Sequence, residues 1–96
     1  MTHPAGTPPA HQNDPLALPG GYTLNEYRFE RVLGGGGFGV TYLAHDTNLD
    51  CRVAIKEYLP RDVAVRTPEL SVRPRSADVE KTFDWGLQRF LLESRA

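Results

Sequence analysis

The chain carries a cluster of glycines, Gly34, Gly35, Gly36, Gly37 and Gly39, broken only by Phe38, and further on the apolar run Val53-Ala54-Ile55 ending at Lys56. Those residue types suit the binding of phosphate. Glycines at 34, 36 and 39 let a hairpin close with positive φ and bring backbone N–H groups against an anion that side chains would fence off. A lysine on a stiff strand adds a compact, mobile positive charge that phosphate oxygens accept.

The elements that must position these groups follow from pattern. Tyr27 to Leu33 alternates aromatic and apolar residues with polar ones, which predicts a strand, and Gly39 to Ala44 predicts a second. The glycines between them are few enough to make a hairpin tip. His45 to Asp50 has Asp and Asn turn chemistry, and a third strand is expected over Arg52 to Leu59, ended by Pro60. Ala54 and Lys56 lie two apart on that strand and share a face, while Val53 and Ile55 share the other. Residues 61–75 read as a long connection with one short turn at most. From Ser76 or Asp78 the period becomes helical, with Val79, Phe83, Leu87, Phe90 and Leu91 on one stripe. That stripe is expected to pack on the Val53 and Ile55 face. The helix lacks a stop signal before Ala96, so a chain cut within an element is expected.

Three kinds of glycine-rich phosphate loop are distinguishable by context. A dinucleotide-binding fold needs a helix after its glycines, and here VTYLA predicts a strand. A nucleoside-triphosphatase P-loop needs Lys-Ser or Lys-Thr after its last glycine, and neither follows Gly39. What remains is a hairpin folded over ATP as a lid, with its lysine on the next strand.

At these residues the chain resembles the amino-terminal lobe of bacterial Ser/Thr protein kinases. Gly34-x-Gly36-x-Phe38-Gly39 is similar to the glycine-rich loop with its aromatic tip, and Val53-Ala54-Ile55-Lys56 to the VAIK strand. The helix resembles helix C, and Glu93 the glutamate that pairs with the lysine, with Glu80 as the fallback. The resemblance implies an α+β fold, an incomplete kinase-like N-lobe of three antiparallel strands with a glycine-rich hairpin plus helix C. It implies ATP as cofactor, held by Leu33, Gly34, Gly35, Gly36, Gly37, Phe38, Gly39, Thr41, Ala54 and Lys56, and a catalytic ion pair of Lys56 with Glu93. Two features depart from the family: Thr41 stands where Val is usual over the adenine, and the connection between strand lysine and helix is enlarged.

The kinase motifs that supply the catalytic Asp, the metal-binding Asp and the Asn do not occur in the sequence. Mg²⁺ and the protein substrate are therefore expected to be held by a C-lobe outside these residues. The 96-residue chain is expected to bind nucleotide weakly at most and to transfer no phosphate, as a fragment of a Ser/Thr kinase. The alternative is a non-catalytic pseudokinase or a regulatory interaction module.

A net charge of −1 offers no field for nucleic acid. Arg61, Arg66, Arg73 and Arg75, interleaved with Asp62 and Glu69, read as a solvated loop. Cys51 is alone, and His3, His11 and His45 have no ligand spacing, so neither a disulfide nor a metal site is expected. Residues 1–24 read as a disordered Pro-rich tail and residues 25–96 as a partial kinase domain. No apolar run is long enough to span a bilayer, so a cytoplasmic segment without membrane contact is expected. Trp85 and Leu92 lie opposite the main helical stripe, a second apolar face expected to meet the missing large lobe or a regulatory partner.

Overall fold

The computed structural model describes residues 14–94. Its main sheet has four antiparallel strands in sequence order: β1 (Thr23–Leu24), β2 (Tyr27–Gly35), β3 (Gly39–Asp46) and β4 (Cys51–Tyr58). A separate hairpin pairs β5 (Ala64–Arg66) with β6 (Val72–Pro74). A 3-10 turn, Ala77–Val79, leads into the helix α1, Glu80–Glu93. The three expected strands are all present as β2, β3 and β4, but three more accompany them. The sheet gains β1 because Asn25 takes a φ of 54° and turns the chain back on β2, a conformation Asn tolerates better than most residues.

The turn after β3 follows its predicted chemistry. The buried Asp46 carboxylate accepts the N–H groups of Asn48 and Leu49 at 2.9 and 3.0 Å, and Asp50 takes a φ of 52°. The pleat then fixes the faces of β3 and β4. Tyr42 opposes Ile55 and Ala44 opposes Val53 on one face, while Thr41 opposes Lys56 and Leu43 opposes Ala54 on the other.

The first of those faces holds the core. Phe29, Val32, Val40, Tyr42 and Ala44 are buried together with Leu18, Leu59, Ala64 and Phe83. Phe29 sits edge-on to both Tyr22 and Tyr42, with ring centroids 5.4 and 4.9 Å apart. Such edge-to-face pairs add about 0.5–1.5 kcal/mol beyond burial alone.

The cover of this face differs from expectation. Of the helical stripe only Phe83 reaches the core against which Val53 and Ile55 pack; the segment 16–18 and the β5–β6 hairpin bring Leu16, Leu18, Ala64 and Val72 to it, together with Val63 and Leu70. The reason is a polar clasp that the helix could not displace without stranding charge. Arg66 forks onto Glu57 with two 2.7 Å bonds and also donates to the Leu16 carbonyl at 2.9 Å. Tyr42 Oη donates to Glu57 at 2.7 Å and accepts the Leu18 N–H at 3.0 Å. Residues 14–24, assigned to the tail by composition, thus pack on the sheet, with Asp14 paired to Arg61. The rest of the expected tail lies outside the described residues.

Helix α1 sits instead at the end of β4. The Tyr58 ring contacts Phe83 and Phe90, with centroids 5.2 and 5.4 Å away, and its hydroxyl donates to the Phe83 carbonyl at 2.8 Å. Gly86 permits this approach, since a Cβ there would overlap the Tyr58 hydroxyl. Leu91 is exposed despite its place on the stripe, and the opposite side carries Trp85 and Leu92 at 64% and 61% exposure. Arg89 lies over the Trp85 ring, 5.2 Å from its centroid.

Candidate functional site

The bulges in β2 begin the site. Register shifts fall between Phe29 and Arg31 and between Val32 and Gly34, and each bulge bends and twists the strand. Leu33 lies in the second shift and is exposed. Beyond it, Gly34 opposes Thr41, and Thr41 opposes Lys56. These three residues form one row across β2, β3 and β4 on the face opposite the core. Ala54 lies on the same face beside Leu43.

The connection from β2 to β3 is short, residues 36–38, and closes with the Gly36 N–H donating to the Gly39 carbonyl at 3.0 Å. Its glycines do not work as expected. None of Gly34, Gly35, Gly36, Gly37 and Gly39 takes a positive φ; the only glycine among the described residues that does is Gly21. The chain reverses through the bulge and an open tip instead. Glycine is required sterically at Gly39, where a Cβ would overlap the Glu57 carbonyl oxygen. At Gly34, Gly36 and Gly37 the space a Cβ would fill is open, which leaves the backbone accessible.

A groove of about 370 Å³ runs along this row, lined by Gly34, Gly35, Gly36, Gly39, Thr41 and Lys56 together with Phe90. The sequence pattern places Phe90 only in the helix core stripe, yet its ring lies beside Gly39 and lines the groove. Phe38, at the tip, is 75% exposed and faces a second cavity of about 270 Å³ between the loop and α1, shared with Tyr58, Trp85, Phe90 and Glu93. Gly37 lines a further hollow beside Tyr58 and Pro60.

Lys56 and Glu93 are not brought together. Lys56 lines the groove, Glu93 lines the second cavity, and Phe90 lines both. Neither Glu93 nor Glu80 forms an ion pair with Lys56 among the described residues. No group of three or more His, Cys, Asp or Glu side chains placed to hold a metal ion occurs among the described residues.

Two arginines assigned to a solvated loop turn out to be structural. Arg66 is 9% exposed on its Glu57 partner, and Arg61 donates through Nε to the Gly36 carbonyl at 2.8 Å while its guanidinium grips Asp14. The Arg61 hydrogen bond holds the Asp14 carboxyl below its usual range against the opposing effect of burial. The Tyr42 phenol is pushed up to about 12, chiefly by burial and further by Glu57, with the Leu18 N–H pulling the other way.

These elements make a small α+β domain, an antiparallel four-stranded sheet with one C-terminal helix, compatible with the small lobe of a protein kinase. The chain is similar to a solved structure titled PpkA-294 apo form, with a TM-score of 0.80 and 43% sequence identity over 82% of this chain and 28% of that one. It therefore spans a little over a quarter of the length of that similar chain. No protein-family model and no curated protein matches. No helix among the described residues is long and apolar enough to cross a membrane.

Proposed function

We propose that this chain is the ATP-binding part of a Ser/Thr protein kinase, which transfers the γ-phosphoryl group to protein hydroxyls once a second lobe is present. The observation that carries this reading is the row Gly34–Thr41–Lys56, set along an open groove under a glycine-rich connection. The likeness to PpkA-294 supports it, since it fits the kinase link drawn from the motifs.

In this reading the phosphates lie along the glycines, where open space at Gly34 and Gly36 admits an anion to the backbone N–H groups. Lys56 neutralises charge on the phosphate oxygens as a point charge. Leu33, Thr41 and Ala54 cover the base, with the Thr41 methyl group serving where a larger apolar side chain is usual. Gly35, Gly37, Phe38 and Gly39 complete the lid. Glu93 pairs with Lys56 only after α1 has shifted, since the two form no ion pair in the present arrangement. The chain on its own binds ATP weakly and transfers nothing, because the catalytic Asp, the metal ligands and the substrate platform belong to the second lobe.

The separation of Lys56 from Glu93 favours one second reading, a non-catalytic module in which the helix keeps this position permanently. Calorimetric titration with ATP separates binding from non-binding chains. Lys56→Met is expected to weaken ATP binding about tenfold or more, the loss of one charge-assisted contact. As Lys56 is exposed, the variant should melt at the wild-type temperature. Equal affinity of Lys56→Met and wild type would remove the basis of the proposal.

A further inference from the structure

The glycine-rich connection is held from one side only. Its three carbonyls, those of Gly36, Gly37 and Phe38, accept from Arg61 Nε at 2.8 Å, from the Arg61 N–H at 3.0 Å and from the Leu59 N–H at 2.8 Å. In a trans peptide the C=O and the N–H of the next residue point in opposite directions, and no peptide among the described residues is cis. Carbonyls turned to the Leu59–Arg61 turn therefore turn the N–H groups of Gly37, Phe38 and Gly39 away from it. The N–H groups of Gly37 and Phe38 find no acceptor among the described residues.

Arg61 is itself fixed. Its guanidinium forks onto Asp14, with NH1 to Oδ1 at 3.0 Å and NH2 to Oδ2, and both side chains are largely withdrawn from water. Asp14 opens the segment whose Leu16 and Leu18 pack with Tyr42, on the face of the sheet opposite Lys56. The connection is thus tied through its carbonyls to the Leu59–Arg61 turn, which leaves the N–H groups of Gly37 and Phe38 directed away from that turn and free to meet an anion.

We propose that Arg61 is a positioning residue: with Asp14 locking its guanidinium, it orients the glycine-rich connection so that the N–H groups of Gly37 and Phe38 are presented to the phosphates of a nucleotide. The proposal rests on the nucleotide-binding reading above and adds to it a part for the segment ahead of the sheet. Asp14 lies 47 residues from Arg61, so the state of that segment is transmitted to the phosphate loop through a single side chain. Lysine cannot replace Arg61, because one ammonium cannot serve the Gly36 carbonyl and both Asp14 oxygens in the planar fork that Arg61 makes.

The test compares ATP with adenosine on the 96-residue chain, its Arg61→Ala and Arg61→Lys variants, and Asp14→Asn. Amide hydrogen exchange of Leu59 and Arg61 is read in parallel. Arg61→Ala is expected to lose roughly tenfold in ATP affinity with adenosine affinity unchanged, since the missing orientation concerns phosphate donors alone. Arg61→Lys should lose nearly as much, and Asp14→Asn less. Exchange at the Leu59 and Arg61 amides should quicken in Arg61→Ala. Equal losses for ATP and adenosine would make Arg61 merely structural, and unchanged ATP binding would overturn the proposal outright. A wild-type chain that binds neither ligand would overturn the nucleotide reading and the proposal with it, while the exchange data would still show whether Arg61 holds the connection.

Discussion

Tyr42 joins the parts of the molecule that sequence separates. Its ring is buried against Phe29, and its hydroxyl bridges the Leu18 N–H and Glu57. Because the folded phenol titrates near 12 rather than near 10, the folded state holds this proton more tightly than the unfolded chain. The stabilisation is complete below about pH 10 and is lost as pH rises toward 12. Tyr42→Phe should cost about 1–3 kcal/mol at neutral pH by stranding the Leu18 N–H. It should also flatten most of the alkaline loss in denaturant melts, leaving the smaller slope from Tyr27 and Tyr58, whose phenols are also raised. An unchanged alkaline slope in the variant would show that Tyr42 does not titrate as described. At Lys56 the sequence was sufficient: alternation alone set it on the Ala54 face, and it is exposed there. At Gly34 to Gly39 the residue type was legible and its reason was not, since φ is decided by bulges and by carbonyl partners more than twenty residues away.

At the scale of elements, strands with their own alternation were readable, and the pieces held by long-range polar contacts were not. β2, β3 and β4 carry period-2 patterns bounded by turn residues, and α1 carries a helical stripe. β5 and β6 are three residues each, too short for a period, and their sheet depends on Arg66 reaching Glu57. Leu16-Ala17-Leu18 sits between prolines and gave only a short apolar signal, yet it shields the core. The helix was recognised but misplaced, because its partner on β4 is Tyr58 rather than the Val53 and Ile55 face. Arg66→Met should destabilise the fold by about 3–5 kcal/mol, since it leaves the Glu57 carboxylate partly buried without its cation. Denaturant unfolding checks this, with the prediction that Arg66→Met and Glu57→Gln together cost much less than the two single losses added. Additive losses would mean that the pair is not coupled.

For the molecule as a whole, two sides are left without cover among the described residues. β4 remains an edge of its sheet, and α1 presents Trp85, Leu91 and Leu92 to solvent. The central claim concerns the other face, where the Gly34–Thr41–Lys56 row meets the groove. The most direct test is a titration of the ¹⁵N-labelled chain with ATP, followed by amide chemical shifts residue by residue. The account predicts saturable shifts at Gly34, Gly36, Gly37, Phe38, Thr41 and Lys56, with the midpoint moved to about tenfold or more higher ATP in Lys56→Met, and with Leu18, Ala44 and Val72 unmoved. Shifts confined to the Leu18 and Val72 side, or none at millimolar ATP, would contradict it.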